Sequence, residues 1–518
     1  MDEYWYHLCE DIRQTLSFPM SSNPKTSLHA RIQALSIENC DKEQIHIPGT
    51  VQSFGALIAF DKQNVVTRAT ENVKDILGIE AEKLLGTPLS TIFDEGELSK
   101  IKPEDDNDHF YCTDLVAKNG YKLCAHSHIT IGESFLDLVP AKQERPLDFF
   151  STIRSFSNRF STATNEVDLA QMIAEKIRQV SKFDRVKVYK FDSEWNGEVI
   201  AESREASMPS YLGLHFPASD IPVQARELYL RNRLRVIADI DDPQSTLIDN
   251  GELTPLDMSF SFVRSVSPIH LQYLRNMEVR ASMSISLFNG NKFWGLVACH
   301  HASPKTFCLD DALFYYSMSE FCSTRITELN KVVSADLKSA AFAVVEHMID
   351  NVKKSGSPDS LIEQRPSLDT LVNSTGCALI VGDKILKKNA VPDNDTIRSL
   401  IAWLERDEPV FACDDLPARY GSSIGSYACG LLATKIQGLS KSWILWFRFE
   451  ISNEVKWAGD PFKPTDENQF GSRLFPRTSF ALWTESRRGR SAAWEKHEIE
   501  AAKLLANVLS SAIGKASN

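Results

Sequence analysis

Short apolar runs divide the first part of the chain into candidate β-strands. Residues 51–60, 65–73 and 122–131 are rich in apolar and β-branched residues and are bounded by polar, turn-forming residues. A helical stretch with turns lies between the second and third run, and residues 96–110 form an acidic, loop-like interruption. The pattern predicts a polar extension over 1–35, followed by a small α+β domain that ends near residue 143.

A helical pattern opens the second part of the chain. Residues 148–183 are amphipathic, and their centre is rich in Ser and Thr, so the helix is predicted to break or bend there. Later strands are predicted to form a hairpin around Asn289-Gly290-Asn291. The predicted strands are 185–191, 197–203, 281–288 and 292–301. This part is therefore predicted to be an antiparallel sheet backed by helices.

An unbroken helical pattern over 310–354 opens the third part. It contains no proline, and its apolar residues recur at helical spacing. A helix of this length more often connects two domains than lies inside one. Further strand and helix patterns follow, and they predict a third α+β domain that ends in a helix. An insertion at 455–494 has no clear core pattern, and a loop of that length is usually either functional or disordered.

Composition and charge narrow the class of protein. The 518 residues are enough for about three domains of roughly 150 residues each. The net charge of −12 argues against a bulk nucleic-acid binder, although it leaves room for a local cationic pocket. The chain has no apolar run of the ~20 residues needed to span a membrane, and its N-terminus has no signal-peptide pattern. Its ten cysteines never form a CxxC pair. We therefore expect a soluble, cytoplasmic protein.

The residues that most clearly point to a chemical function lie in several long motifs. They are IHIPG at 45–49 with the following VQSFGALIAF, FPASDIPVQARELYLRNRLRVIADID at 216–241, RSVSPIHLQYLRNMEVRASMSISL at 264–287, and WGLVACHH at 294–301. Locally, the second motif reads as a turn into a helix that Asp220 or Ser219 caps and Pro222 starts. The adjacent Cys299, His300 and His301 make a poor metal site, because neighbours on a strand point to opposite faces. Capping alone does not explain the other motifs.

Taken together, these motifs resemble those of phytochromes, and most closely those of bacteriophytochromes, over the whole chain. The resemblance implies an α+β protein of three tandem domains, with antiparallel sheets flanked by helices and a long connecting helix. It implies a PAS domain over 36–143, a bilin-binding GAF domain over 144–325, and a PHY domain over 326–518 with a tongue at about 455–494. A figure-eight knot is expected between the N-terminal segment and an insertion in the GAF domain. The implied function is red/far-red light sensing, without enzymatic activity in this chain.

Cysteine placement identifies the implied attachment site. In bacteriophytochromes the cysteine that links biliverdin lies a few residues upstream of the I-H-[IV]-P-G motif, and here that residue is Cys40. Plant and most cyanobacterial phytochromes instead carry it directly before the histidine of S-P-x-H, where Ile269 stands here. By itself Cys40 is an ordinary thiol, and Cys9 is the more remote alternative. The resemblance implies biliverdin IXα in a thioether bond to the Cys40 sulfur, with the thiolate as nucleophile.

The resemblance also implies the residues of the pigment pocket. Biliverdin has pyrrole N–H groups and two propionates, which need acceptors and donors when buried. The main-chain carbonyl of Asp220 and the side chain of His270 are expected at the pyrroles, and His300 at the ring D carbonyl. Arg235 and Arg264 are expected at the ring B propionate, because the planar guanidinium suits a carboxylate. The other implied pocket residues are Ile221, Pro222, Tyr189, Phe216, Tyr229, Tyr273, Ser282 and Ser284. Without the resemblance, a lone buried histidine or a strand tyrosine is usually a packing residue.

The insertion at 455–494 resembles the phytochrome tongue. Its matching elements are Trp457-Ala458-Gly459, Pro476-Arg477-Thr478-Ser479-Phe480 and Trp483-Thr484-Glu485. In the family this arginine pairs with the aspartate of D-I-P, which corresponds to Arg477 and Asp220 here. By itself Arg477 is a solvated surface charge. The resemblance implies that Z/E isomerisation of ring D disturbs this pair, that the tongue refolds, and that the helices relay the change.

Two departures from the family pattern and several partner expectations remain. Ser53-Phe54-Gly55 stands where P-H-G is common, and Glu278 stands where N-M-G-V has glycine. A homodimer through the GAF and PHY helices is expected, although their apolar faces equally suit packing within a domain. An output kinase or other effector is expected as a partner, and neither nucleic acid nor membrane is. The alternatives are a GAF-type binder of a cyclic nucleotide or haem, and a scaffold that has lost its pigment.

Overall fold

Three β-sheets follow one another along the chain in the computed structural model. It describes residues 43–102, 111–130, 133–141, 149–251, 255–404, 409–421, 424–437, 441–451, 453–462, 477 and 479–514. The sheets have seven, eight and five strands, and almost all strand pairs are antiparallel. The predicted α+β class with three domains is therefore confirmed. The predicted extension over 1–35, Cys9 and Cys40 lie outside the described residues. Within those ranges, no helix is both long and apolar enough to cross a bilayer.

The first sheet is buried on both faces, which explains the fully apolar run of its strand at 56–60. Ala56 and Ile58 face a core under three short helices, whereas Leu57 and Ala59 face the second domain. The strands are β1 (Thr50–Val51), β2 (Ala56–Phe60), β3 (Val66–Thr70), β4 (Cys112–Val116), β5 (Lys122–Thr130), β6 (Glu133–Pro140) and β11 (Ser245–Asp249), in the order β1-β11-β3-β2-β6-β5-β4. The helices are α1 (Val73–Leu77), α2 (Ala81–Leu84) and α3 (Glu95–Leu98).

The second sheet is the largest, and it carries the cavity described below. Its strands are β7 (Arg185–Phe191), β8 (Gly197–Arg204), β9 (His215–Phe216), β10 (Leu234–Ile237), β12 (Ala281–Asn289), β13 (Lys292–His301), β19 (Asn453–Ala458) and β20 (Leu482–Arg487). The order is β10-β12-β13-β7-β8-β9-β19-β20. The last two strands form the tongue hairpin, which joins the sheet through a parallel pair between Trp457 and His215.

Four helices flank this sheet: α4 (Phe149–Phe160), α5 (Glu166–Ser181), α6 (Val223–Arg231) and α7 (Pro268–Asn276). The break predicted within 148–183 is confirmed, because α4 and α5 are separate helices. Asn165 caps α5, since its side chain accepts a hydrogen bond of 2.9 Å from the backbone N–H of Asp168.

The long helix α8 (Leu309–Ser355) confirms the prediction of one unbroken helix at this position. Its first half packs against the second domain through residues such as Phe314 and Met318, and its last turns pack into the third domain through Met348 and Val352. The third sheet has the order β15-β14-β18-β17-β16. Its elements are α9 (Ser360–Glu363), α10 (Leu368–Leu371), β14 (Gly376–Val381), β15 (Lys384–Asn389), α11 (Asn394–Leu404), β16 (Val410–Cys413), α12 (Leu416–Tyr420), β17 (Gly430–Lys435), β18 (Trp443–Arg448) and α13 (Lys496–Gly514).

The segment 43–52 is held by two stretches of the second domain. On one side β1 pairs with β11, and the N–H of Leu247 donates to the carbonyl of Gly49 at 2.9 Å. On the other side the N–H of Gln52 donates to the carbonyl of Val263 at 2.8 Å, and the N–H of Met258 donates to the carbonyl of His46 at 2.8 Å. The arrangement is consistent with the expected knot, whose threading stays a prediction.

The turn before α6 differs from the predicted helix cap. Ala218–Asp220 form a short 3-10 turn, and α6 begins at Val223 after Pro222, without a side-chain cap hydrogen bond. Ile221 and Pro222 separate the side chains of Ser219 and Asp220 from the helix N-terminus. The capping prediction for these two residues is therefore wrong, and the Asp220 carboxylate has other partners.

Candidate functional site

A cavity of about 690 Å³ lies in the second domain, bordered by strands of the second sheet, by the turn at 217–222, and by α6 and α7. Its size is that of a site for a cofactor or drug-sized ligand. The structure brings to its wall all the described residues that were predicted for the pocket: Tyr189, Phe216, Asp220, Ile221, Pro222, Tyr229, Arg235, Arg264, His270, Tyr273, Ser282, Ser284 and His300. Arg477 reaches the same wall from the tongue.

Two arginines, Arg264 buried and Arg235 partly buried, give one side of the cavity a positive charge. Arg235 donates from Nη2 to the carbonyl of Ser265 at 2.7 Å, and Arg264 donates from Nη1 to the carbonyl of Ile45. In the described part of the chain, neither guanidinium has a carboxylate within 4.0 Å, and the Nε of Arg264 has no hydrogen-bond partner. Burial lowers the pKa of Arg264 to about 10. A buried cation without an anion is costly, so this wall favours an anionic ligand.

Strand register places two serines beside these cations. Arg235 on β10 lies opposite Ser284 on β12, and Ser282 lies opposite His300 on β13. Each hydroxyl can donate and accept hydrogen bonds. The sheet therefore presents hydroxyl, guanidinium and imidazole groups to one cavity.

Two neutral imidazoles, His270 and His300, line the cavity. Burial lowers the pKa of His270 to about 4, and the charge of Arg235 acts in the same direction. Burial, together with the charges of Lys187 and Arg185, also holds the pKa of His300 well below its usual value. Arg185 Nη2 lies 2.9 Å from His300 Nδ1. Because a guanidinium only donates, Nδ1 accepts and the proton of neutral His300 resides on Nε2, which makes that atom a donor.

Aromatic side chains also line the cavity. Tyr189 and Phe216 are buried with ring centroids 5.9 Å apart, and the ring of Tyr273 stacks on His270 at 5.9 Å. A Cβ atom at Gly197 would lie 1.7 Å from the ring of Tyr189, so glycine is required there. The ring of Tyr229 stacks on Phe293 at 6.1 Å. These rings provide an apolar surface of defined shape next to the polar groups.

The carboxylate of Asp220 connects the cavity wall to the tongue. Arg477 donates to it through Nε at 3.1 Å and through Nη2, and the hydroxyl of Tyr273 donates to Oδ2 at 2.9 Å. The side chains of Asp220 and Arg477 are 7% and 15% exposed. Burial raises the pKa of Asp220, and the positive charge of Arg477 opposes that rise. The alternative that Arg477 is a solvated surface charge is wrong.

The tongue hairpin brings the remaining predicted residues together. Trp457 and Trp483 lie opposite each other in its register, and the indole of Trp457 donates to Glu485 at 2.8 Å. Gly459 has φ +85°, and a Cβ atom there would lie 2.1 Å from the carbonyl oxygen of Ser479. Ser479 is exposed, so it lies near the pair rather than in the cavity. Pro476 lies outside the described residues.

The sequence analysis missed Lys187, which also lines the cavity. Its side chain is buried, and Nζ lies 4.5 Å from the ring centroid of Phe216 and 5.0 Å from that of Tyr211. Burial lowers the pKa of Lys187 to about 7, and the charge of Arg185 acts in the same direction. Its position two residues before Tyr189 was the available signal, because alternate residues of a strand share a face.

The N-terminal segment supplies a second group that was missed. Glu43 lines the cavity and accepts a hydrogen bond of 2.7 Å from the hydroxyl of Ser267. Ile45 lines it as well. Part of the wall therefore comes from the residues that directly precede the first sheet.

The two departures from the family pattern have structural consequences. The backbone N–H of Ser53 donates to Asp242 at 2.6 Å, and Phe54 packs edge-on against Phe262 with centroids 5.8 Å apart. Both residues thus contact the second domain. Glu278 has φ +59°, a conformation that glycine adopts without a steric penalty. The backbone conformation at this position therefore explains why glycine is usual there.

Comparisons with known proteins agree with this architecture. The PAS fold model matches residues 40–121, the GAF domain model 165–326, and the phytochrome region model 342–518. Cyanobacterial phytochrome B of a Nostoc species is 33% identical over 488 residues, which cover 90% of this chain and 65% of the relative. A bacteriophytochrome of Xanthomonas campestris is 32% identical over 498 residues, which cover 91% of this chain and 78% of the relative.

Solved structures show the same likeness. The photosensory core module of the Stigmatella aurantiaca phytochrome has a TM-score of 0.83 and 34% identity, and the match covers 92% of this chain and 98% of that one. A bacteriophytochrome from the photosynthetic bacterium R. palustris has a TM-score of 0.83 and 30% identity, with coverage of 92% and 99%. The chain spans less than two thirds of the length of the Nostoc relative.

Proposed function

The chain belongs to the phytochrome family, and from this premise we propose that it is a red/far-red sensory module that binds biliverdin IXα covalently through Cys40. The observation that carries the proposal is the contact between Arg477 of the tongue and Asp220 in the cavity wall. It couples a ligand site in the second domain to the tongue hairpin, which belongs to the third part of the chain. The proposed role is sensory rather than enzymatic.

The charges of the cavity fit a linear tetrapyrrole with two propionates. Arg264 is a buried cation and Arg235 a partly buried one, and neither has a carboxylate within 4.0 Å among the described residues, whereas carboxylates are their preferred ligands. Ser282 and Ser284 add hydroxyl donors on the same sheet. A cyclic nucleotide or haem would also be anionic, but neither would need the tongue contact at Asp220.

The remaining cavity groups suit the pyrrole N–H groups and the terminal ring of such a ligand. We assign His270 and the main chain of Asp220 to the pyrrole N–H groups, together with the turn residues Ile221 and Pro222. We assign the Nε2–H of His300 to the terminal ring carbonyl, because neutral His300 donates from that atom. Tyr189, Phe216 and Tyr273 form the apolar surface around that ring, and Tyr229 lies against another part of the ligand.

The position of Glu43 supports Cys40 as the attachment point. Glu43 lines the cavity, and Cys40 precedes it by three residues. A chain extends by at most about 3.3–3.6 Å per residue, so a tether of three residues reaches no more than about 11 Å from the cavity wall, which suits attachment at this cysteine.

When bound, biliverdin supplies a light-driven Z/E isomerisation of its ring D. The protein's part is to hold Asp220 between Tyr273 and Arg477, so that a change in hydrogen bonding at the cavity wall alters the anchor of the tongue. Separating a shielded ion pair leaves a buried charge unpaired, which is costly. We therefore expect two arrangements of the tongue, one with the pair formed and one in which both side chains have found other partners. The helices α8 and α13 then carry the change away from the cavity.

We also propose a homodimer through the helices of the GAF and PHY domains. The middle of α8 is exposed over 331–340, where Val332 and Val333 are more than half exposed, and Phe342 just beyond this stretch is more than half exposed as well. Such side chains favour a second copy of the chain as their partner. An output kinase or other effector, in the cytoplasm, would receive the signal.

Pigment attachment tests the proposed function directly. The protein is incubated with biliverdin, denatured, and examined for pigment that stays with the chain and fluoresces with zinc. We expect retention in wild type and in the control Cys9→Ala, and loss in Cys40→Ala. Absence of attachment in wild type, or equal attachment in Cys40→Ala, would contradict the proposal. Illumination of the pigmented protein should then produce a reversible red/far-red difference spectrum.

A further inference from the structure

Three ligand-type side chains share one face of the first sheet, away from the cavity. His126 and His128 lie two residues apart on β5, and Asp137 on β6 lies directly opposite His126. Alternate residues of a strand point to the same side. One nitrogen of each imidazole and one oxygen of the carboxylate all lie within 4.8 Å of one another.

The cluster lies between the first sheet and the second domain. The neighbours Cys124 and Phe135 on the same face belong to the core that the two domains share. The carboxylate of Asp137 accepts hydrogen bonds of 2.6 Å from the hydroxyl of Ser261 and of 2.6 Å from the backbone N–H of Phe262. Asp137 therefore touches the stretch of the second domain that also binds the segment 43–52.

The imidazole of His126 is oriented as that of a metal ligand usually is, and His128 offers a buried nitrogen. His126 Nδ1 lies 2.7 Å from the carbonyl of Tyr111. A carbonyl can only accept, so Nδ1 carries the proton and Nε2 carries the lone pair, which is the arrangement that backbone carbonyls impose on metal-binding histidines. The Nε2 of His128 is buried and has no hydrogen-bond partner among the described residues, and His128 is only 8% exposed. The ring centroids of the two histidines lie 3.3 Å apart.

The charge of the carboxylate in this cluster is only partly compensated. Asp137 is fully buried, and within the described ranges no Lys, Arg or His nitrogen lies within 4.0 Å of its carboxylate. Burial raises the pKa of this carboxyl to about 7, although the hydrogen bonds from Ser261 and Phe262 and the more distant charge of Arg264 oppose the rise. A buried carboxylate is costly unless a cation or a full set of donors compensates it. A divalent metal ion beside two neutral imidazoles would supply the missing positive charge.

We propose that His126, His128 and Asp137 form a binding site for a divalent transition-metal ion, Zn²⁺ in the first instance, at the boundary between the PAS and GAF domains. Two imidazoles and one carboxylate are a ligand set that Zn²⁺ and Fe²⁺ accept, whereas Ca²⁺ and Mg²⁺ prefer oxygen ligands alone. Since Asp137 is also hydrogen-bonded to Ser261 and Phe262, the ion would fasten β5 and β6 to the second domain. The site does not depend on pigment binding.

A second cluster, formed by two residues of the same sheet and one residue of α8, serves as an internal control. Cys112, Cys124 and Asp310 also have ligand atoms within 4.8 Å of one another. This set contains two sulfurs, so it would bind Zn²⁺ through thiolates, whereas the histidine cluster would bind without sulfur. Co²⁺ distinguishes the two sets in wild type, because only thiolate ligands add an intense charge-transfer band in the near ultraviolet.

The test uses the full chain without an affinity tag, stripped with a chelator and titrated with Zn²⁺ and with Co²⁺. We expect one equivalent of Zn²⁺, a Co²⁺ spectrum without the thiolate band, and a higher unfolding temperature with metal. His128→Gln and Asp137→Asn should lose more than the roughly 10–100-fold in affinity that loss of an outer-shell partner costs, and Cys112→Ser should bind as wild type does.

Several outcomes would overturn the proposal. The proposal is wrong if wild type does not bind Zn²⁺ stoichiometrically, if the Co²⁺ spectrum shows a thiolate band, or if His128→Gln binds Zn²⁺ as tightly as wild type. Circular dichroism and gel filtration check that the variants are folded. If Asp137→Asn fails to fold, His128→Gln and the wild-type Co²⁺ spectrum still decide, because neither needs the Asp137 variant.

Discussion

Removal of the guanidinium at position 477 is the sharpest test of the coupling between cavity and tongue. In Arg477→Ala the Asp220 carboxylate keeps Tyr273 as a donor and loses both hydrogen bonds from the arginine. The carbonyl of Ala458 loses its hydrogen bond from the same guanidinium. The tongue would then be held to the second domain by the pair between β9 and β19, by the hydrogen bond from Asn276 to the backbone carbonyl of residue 477, and by the contact of Phe480 with Tyr273.

The burial of the pair determines the size of the effect. Loss of one partner of a buried ion pair costs about 3–5 kcal/mol, and the partial exposure of Arg477 places the expected value near the lower end. About 3 kcal/mol corresponds to roughly a 100-fold increase in the local opening of the hairpin. In the double variant with Asp220→Ala no unpaired charge remains, so the two effects should fall short of additivity by about 2 kcal/mol.

Hydrogen exchange of the protein without pigment measures this opening. The peptides that cover β19 and β20 should exchange about 100-fold faster in Arg477→Ala, with little change in the third sheet. Arg487→Ala is the matched control, because Arg487 lies in the same hairpin and pairs with Glu485 rather than with the second domain. We expect a change of less than about 1 kcal/mol there, since a partly exposed ion pair contributes little.

Two results would refute the reasoning. One is exchange in the hairpin that is the same in Arg477→Ala and in wild type. The other is additivity of Arg477→Ala and Asp220→Ala, because independent effects would mean that the two side chains do not act on each other in solution. Arg477→Lys adds a geometric test, since lysine keeps the charge and loses the planar fork.

Three further predictions concern single side chains. Gly459→Ala should open the hairpin more than Gly489→Ala does. Both glycines have positive φ, but only a Cβ atom at position 459 would meet a backbone oxygen, that of Ser479. Equal hydrogen exchange of the hairpin peptides in the two variants would contradict this. Glu278→Gly should raise the free energy of unfolding of the second domain by up to about 1 kcal/mol in a urea titration, because its φ of +59° strains a residue with a side chain; a loss of stability would count against that reason. Burial lowers the pKa of Lys187 to about 7. Between about pH 7 and pH 10.5 the unfolded chain therefore keeps a proton on this lysine that the native apoprotein has released. The free energy of unfolding should rise with pH over this range, by at most about 1.4 kcal/mol per pH unit. Lys187→Met should show a smaller slope, and identical slopes in urea titrations between pH 7 and 9 would exclude this role for the lysine.

Local patterns were sufficient for most of the secondary structure. Residues 185–191 and 292–301 were predicted as strands and are β7 and β13, and the helix predicted over 310–354 is α8. Side chains of these elements alternate or recur with the period of the element, because one face meets the core along its whole length. Such periodicity is present in the sequence itself. The motif resemblance extended this reading to three domains and to the set of cavity residues.

The cap prediction at Asp220 failed for a reason that local sequence does not contain. A short polar side chain before a helix is a good cap only when no stronger partner competes for it. Here the competing partners are Arg477, which lies 257 residues later in the chain, and Tyr273 on α7. Their approach depends on how the tongue hairpin joins the second sheet.

The sequence by itself determined the elements of this protein, the order of its domains and the residue types of its cavity, because these follow from local periodicity and from contiguous motifs. Only the tertiary structure decided which charges meet. It paired Arg477 with Asp220, and it left Arg235 and Arg264 without a carboxylate among the described residues. It also placed His126 of β5 directly opposite Asp137 of β6 at the domain boundary. Those contacts are set by the packing of whole domains, and burial then makes each charge strong enough to matter.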